Sequence, residues 1–282
     1  MDIMRVLLTG AGGMLGTDLQ AAFADTDLTA VARAELDIVD DTAVRRAVEA
    51  IRPDLIVNAA AYTKVDACET DVDACYAVNA VGARNLAVAA QERGAAMVHV
   101  STDYVFPGDG SRPYREHDAT GPKSEYGRSK LAGEQLVQTL CQRHYIVRTS
   151  WLYGVHGPNF VKTMLRIGRE QGKARVVDDQ IGSPTYTADL AQALRLLVAR
   201  PVYGLYHLSN QGVCSWHDFA AEIFARAGLD VELGAMKSGE LTRPAPRPAY
   251  SVMDNQMWRV SGFEPLRDWR EALAAYLRTA GS

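Results

Sequence analysis

Short, almost unbroken apolar runs alternate along the first 150 residues with longer stretches in which apolar residues recur every three to four positions. Runs at Ile3 to Thr9, Leu28 to Ala32, Asp54 to Asn58, Ala96 to Ser101 and Tyr145 to Thr149 read as strands. Their continuous apolar character suits a parallel sheet buried on both faces, not an antiparallel sheet with one wet face. Between them, Met14 to Ala24, Thr42 to Ile51, Asp71 to Arg93 and Ser124 to Arg143 read as helices. Regular alternation of this kind predicts the α/β class: a doubly wound parallel sheet with helices on both faces. After about Trp151 the rhythm loosens and prolines cluster between Arg243 and Pro248, which suggests a smaller part capping the ends of the sheet. No internal repeat or low-complexity segment interrupts the pattern.

At 282 residues and 48% hydrophobic, the chain can bury a substantial core, which excludes disorder. Its formal net charge of −4 leaves no global basic field for a nucleic-acid backbone. The four cysteines, Cys68, Cys75, Cys141 and Cys214, show neither metal-ligand spacing nor the density of a disulfide scaffold, so a reducing compartment is expected. The six histidines are scattered, and zinc is disfavoured. No apolar run approaches the ~20 residues of a membrane span, and the chain starts directly on a strand pattern. A cytoplasmic protein, with no membrane and no nucleic-acid partner, is the expectation.

Chemistry first shows at Thr9-Gly10-Ala11-Gly12-Gly13-Met14-Leu15-Gly16, which follows the first strand and opens the first helix. Glycines there permit a tight turn, close backbone approach to a pyrophosphate and close packing of helix on strand. The anion then sits on amide donors at the helix N-terminus. Gly10, Gly13 and Gly16 follow a Gly-x-x-Gly-x-x-Gly spacing, which departs from the commoner dehydrogenase fingerprint and resembles that of the short-chain dehydrogenase/reductase superfamily. Residues 1–150 are therefore expected to bind a dinucleotide. Residues 151–282 would mainly bind substrate, with some segments returning to the first part. At the end of the second strand, where an acid would bind a free ribose 2′-hydroxyl, the chain has Ala32-Arg33. The guanidinium of Arg33 favours NADPH. Glu35 close by keeps NADH open. Asp37 and Ile38 suit an adenine contact, although Asp37 could equally serve a helix N-terminal turn. Asn58 to Tyr62 offers small residues where a dinucleotide would pass near the backbone.

Tyr126 and Lys130 stand four residues apart at the start of a helix, so they share one face. A free phenol near pKa 10 is a poor acid-base catalyst, and a neighbouring cation favours its charged form. Lys130 would supply that cation while holding the nicotinamide ribose. Tyr126 could then protonate a carbonyl oxygen while Thr102, at the end of the fourth strand, donates to the same oxygen. Asn79 would orient its own helix or a water chain beside Lys130.

Through these residues the chain resembles the extended short-chain dehydrogenase/reductases, and within them the dTDP-4-dehydrorhamnose reductase family. The likeness runs nearly end to end, through Gly10 to Gly16, Leu36 to Ile38, Val57 to Asp66, Ser101 to Phe106, Tyr126 to Gly133, Arg148 to Tyr153, Asn159 to Leu165 and Asp179 to Thr187. It implies NADPH-dependent reduction of the 4-keto group of a dTDP-6-deoxy-hexose, yielding dTDP-L-rhamnose. It implies Tyr126 as proton donor, Lys130 as its partner and Thr102 as carbonyl anchor. Around the cofactor it places Gly13, Met14, Leu15, Asp37, Ile38, Ala61, Tyr62 and Thr63. Against the sugar it places Asp103, Tyr104 and Trp151, with Trp151 as an indole wall or as core filler. Arg247 matches a segment near the nucleotide, where a guanidinium could clamp the diphosphate. Some family members form a homodimer around Mg2+ held by glutamates; here the matching positions are the shorter Asp18 and Asp189, and the last ligand has no counterpart. The same resemblance leaves two other classes open: another nucleotide-sugar 4-keto reductase or epimerase, and a regulatory subunit like the beta subunit of methionine adenosyltransferase. An intact Thr102, Tyr126 and Lys130 argues against the last.

Overall fold

In the computed structural model, which describes residues 3–281, the apolar runs form strands β1 (Arg5–Thr9), β2 (Asp27–Val31), β3 (Leu55–Asn58), β4 (Ala96–Thr102) and β5 (His144–Thr149). A sixth strand, Gly204–His207, joins beside β5, giving the parallel order β2, β1, β3, β4, β5, Gly204–His207. Side chains alternate across the pleat. Val6 and Leu8 face one layer with Leu15 and Leu19 of α1 (Met14–Ala22), its C-cap Phe23, and Leu190 and Leu194 of the helix Thr187–Leu197. Leu7, Ile56 and Met97 face the other, against α2 (Asp41–Ile51) and two later helices, Ala83–Arg93 and Glu125–Leu140. The chain leaves β1 to one side for β2 and returns on the other for β3. That reversal opens a crevice at the carboxyl ends of β1 and β3, where ligands of open α/β sheets bind.

The stretch expected as one helix from Asp71 to Arg93 is instead interrupted. The short helices α3 (Val65–Cys68) and α4 (Val72–Tyr76) lead into a π-helical turn, Ala77–Gly82, and then α5 (Ala83–Arg93). Asn79, in that turn, uses its amide to accept from the Tyr62 backbone (2.9 Å) and to donate to Ser129 Oγ (3.0 Å). It therefore orients the segment after β3 against the next helix, and the wide turn aims it. That next helix, α6 (Glu125–Leu140), is shorter than the expected Ser124 to Arg143. Ser124 is its cap, accepting from Gly127 N at 3.1 Å, and Cys141 is already extended.

Beyond Trp151, helices Phe160–Gln171, Trp216–Arg226 and Trp269–Gly281 bury an aromatic core of Tyr153, Phe219, Trp269 and Tyr276 above one end of the sheet. Trp258, Phe263 and Leu266 pack back into the first layer. No described helix is long and apolar enough to cross a membrane. All four cysteines are buried and free.

Candidate active site

The glycine loop lies in the crevice. Gly10 has φ +76°, and a Cβ there would come within 2.5 Å of Ala60 N and 2.6 Å of Ala59 C. A Cβ on Gly16 would collide with the Gly10 carbonyl and reach 2.9 Å from Ala11 Cα. Only glycine lets the turn, β3 and α1 close up in this way. Gly13 is the N-cap of α1 and has no side chain to bond the first-turn amides, which suits a phosphate group at that end. These features fit a dinucleotide.

Two cavities meet over the loop and share Gly12, Gly13, Ala59 and Ala61 as walls. The smaller, about 370 Å³, runs from Gly10 to the end of β2 and takes in Arg33, Asp37, Ile38 and Tyr62. Arg33 is largely solvent-exposed and sits 3.6 Å from Asp37, whose carboxylate also accepts from Val39 N. Asp37 thus serves both the turn and the cavity wall. Glu35 accepts from Ala32 N at 2.8 Å. The larger, about 630 Å³, is lined by Met14, Leu15, Gly16, Thr63 and the ends of β4 and β5, and it holds Thr102, Asp103, Tyr104, Tyr126, Lys130 and Trp151.

Lys130 is 2% exposed, and its Nζ donates to the Val100 carbonyl at 2.6 Å. Burial pushes its ammonium down to about 8, with Glu134 opposing. The Tyr126 hydroxyl meets the Thr102 hydroxyl, and the protein packed around it pushes the phenol above its ordinary value. Burial is the main cause of that rise, with the Thr102 hydroxyl opposing it, while Lys130 Nζ is drawn to the Val100 carbonyl. Thr102 already donates to Asp103 Oδ1 (3.0 Å) and accepts from Tyr104 N (3.2 Å), so to reach a carbonyl its hydroxyl must turn from Asp103. Burial pushes the Asp103 carboxyl up to about 6, against hydrogen bonds from the Ser251 and Thr102 hydroxyls.

Trp151 adopts φ +49°, an uncommon conformation for a bulky residue. Its ring stacks on Trp216, with centroids 3.6 Å apart and planes 6° from parallel. Trp216 carries no signal of its role in its own neighbourhood, which marks only a helix start, the Ser215–Asp218 capping box. Arg247 lies outside the cavity wall, paired with Asp66, although the adjoining Pro248 lines it. Asp189, one of the positions matched to a metal ligand, accepts from Arg267 Nε (2.9 Å) and Nη2 (2.6 Å) and from Asn210 Nδ2 (2.8 Å). A guanidinium already neutralises it, Asp18 has only the half-exposed His156 at 4.0 Å, and the described residues contain no cluster of three candidate ligands. These residues do not fit a magnesium ion.

Fold and cleft together define a Rossmann-type oxidoreductase of the short-chain reductase kind. The chain belongs to the family described as the RmlD substrate binding domain, whose profile matches residues 4–281. It is 47% identical over 278 residues to a dTDP-4-dehydrorhamnose reductase of Streptomyces griseus, covering 95% of this chain and 91% of that protein. It is 45% identical to the spore coat polysaccharide biosynthesis protein SpsK of Bacillus subtilis, over 99% and 98% of the two chains. Among solved structures, dTDP-4-dehydrorhamnose reductase of Bacillus anthracis in complex with NADP superposes with a TM-score of 0.97 at 45% identity, covering 99% of this chain and 100% of that one.

Proposed function

We propose that this chain reduces the 4-keto group of dTDP-4-dehydro-L-rhamnose to dTDP-L-rhamnose with NADPH. The observation that carries the reading is the convergence of Tyr126, Thr102 and Lys130 at the end of β4, in a cavity continuous with the glycine loop. The relatives named for that reaction and the neighbour bound to NADP support it. Residues 1–150 would hold the cofactor, with Gly10 to Gly16 on the pyrophosphate, Arg33 at the 2′-phosphate, Asp37 and Ile38 at the adenine, and Ala61, Tyr62 and Thr63 along the dinucleotide. Residues 151–282 would supply much of the sugar site.

Reduced nicotinamide supplies the hydride when bound. Tyr126 gives its phenolic proton to the carbonyl oxygen as negative charge grows there, and the Lys130 ammonium stabilises the phenolate left behind. Thr102 donates to the same oxygen. Asp103 and Tyr104 meet the sugar hydroxyls, the Trp151 indole bounds the ring, and Arg247 exchanges Asp66 for the diphosphate. Four buried free thiols support a reducing compartment, the cytoplasm.

The test follows absorbance of the reduced nicotinamide with the product of the preceding 3,5-epimerase as substrate. Consumption with formation of dTDP-L-rhamnose supports the proposal. Consumption only with a different 4-keto sugar would reassign the substrate, and cofactor binding without any turnover would favour a regulatory subunit.

A further inference from the structure

The stripe of α6 that carries Tyr126 and Lys130 continues one turn further to Glu134, which is 4% exposed. We infer that Glu134 is a positioning residue for the reduction, its carboxylate holding Lys130 charged and α6 locked to the end of β4. The inference rests on the functional reading above.

Three successive residues of β4 each engage one member of the stripe. Val100 O accepts from Lys130 Nζ at 2.6 Å, Ser101 Oγ donates to Glu134 Oε1 at 2.5 Å, and Thr102 meets the Tyr126 hydroxyl. From the neighbouring strand, Arg148 closes on the far side of the carboxylate, with Nη2 2.7 Å from Oε2 and Nε 3.0 Å from Oε1. Both side chains of this pair are almost wholly buried, at 4% and 5% exposure. A buried ion pair of this kind contributes little stability that a well-packed apolar pair would not, so its presence calls for another reason.

Lys130 supplies that reason. Its ammonium lies in an interior that penalises charge. The titratable groups acting on it or feeling its charge are Glu134 on α6, Cys75 on α4 and His99 on β4. His99 is held neutral, far below its ordinary value, by burial and by Lys130 itself. Glu134 is the carboxylate in this group, and it opposes the burial penalty on Lys130. Behind Arg148, His207 is pushed down to about 3 by burial and the guanidinium, so it adds no charge. The nearer charge, that of Glu134, then sets the field at Lys130.

The test measures NADPH affinity by fluorescence, and kcat/KM where there is turnover, from about pH 6 to about pH 10. In the wild type both should fall as pH rises through about 8, where Lys130 loses its proton. Glu134→Gln keeps the shape and the Ser101 contact. Losing a unit charge one helical turn away, at an effective dielectric of about 20, should move the midpoint down by about one to two pH units. Because that variant strands Arg148, the double variant Glu134→Gln with Arg148→Gln is measured beside it. It should regain thermal stability while its midpoint stays below that of the wild type. A wild-type midpoint in the double variant would overturn the inference and leave Glu134 a purely structural partner of Arg148. Affinity independent of pH in the wild type would overturn it too. A wild type that binds NADPH with the expected pH dependence but reduces no nucleotide sugar would sink the functional reading alone, because the midpoint of the double variant still decides whether Glu134 sets the charge of Lys130.

Discussion

Gly182→Ala tests whether the Trp151 wall belongs to the sugar site. An alanine Cβ would stand 2.6 Å from Trp151 Cζ2 and 2.7 Å from Nε1, where carbon contacts ordinarily lie at about 3.5–4.0 Å. The indole must therefore shift by about 1 Å. It has little freedom to do so, because its ring is stacked on Trp216 at 3.6 Å and its backbone is already at φ +49°. Overpacking of this kind costs about 1–3 kcal/mol, and loss of a stacked aromatic pair about 0.5–1.5 kcal/mol. If about 2 kcal/mol of this falls on sugar binding, KM for the nucleotide sugar rises roughly 30-fold. The glycine loop is untouched, so NADPH affinity stays within about twofold. Steady-state kinetics with varied sugar and a separate cofactor titration read the two effects apart. An unchanged KM with a lowered Tm would remove Trp151 from the sugar site, and no change in either would refute the steric argument.

Three other outcomes are expected. Tyr126→Phe should lower kcat about 100-fold or more while cofactor affinity stays nearly constant, and single-turnover kinetics with near-normal rates would remove Tyr126 from the proton transfer. Asp103→Asn should raise stability in alkaline but not acidic solution. A carboxyl pushed from 3.8 up to about 6 binds its proton more tightly folded than unfolded, so its native form loses stability as pH rises from about 4 through 6. That loss is on the order of 2–3 kcal/mol, and Tm differences between variant and wild type that do not grow over this window would contradict it. A chelator should leave Tm unchanged, whereas Arg267→Met should cost about 1–3 kcal/mol by stranding the partly buried Asp189; a chelator-sensitive Tm would mean that a metal binds after all.

Periodicity and glycine spacing were enough to order the first five strands and to place the phosphate loop, because local backbone demands such as the positive φ of Gly10 leave a mark in the residue itself. Tyr126 and Lys130 were legible for the same reason, since four residues on a helix always share a face. What spacing could not supply was the balance of forces between groups distant in the chain. The burial that raises the Tyr126 phenol, and the Val100 carbonyl that draws the Lys130 ammonium, exist only in the folded cleft. Trp216 became a wall of the cavity only when folding stacked it on Trp151, just past β5, and Arg267 came to neutralise Asp189 across 78 residues of chain. The π-helical turn at Asn79 likewise answers to Tyr62 and Ser129, partners that only folding brings together. Local conformational preference is written residue by residue; burial, charge balance and shape belong to the assembled interior, and these decided the chemistry of the cleft.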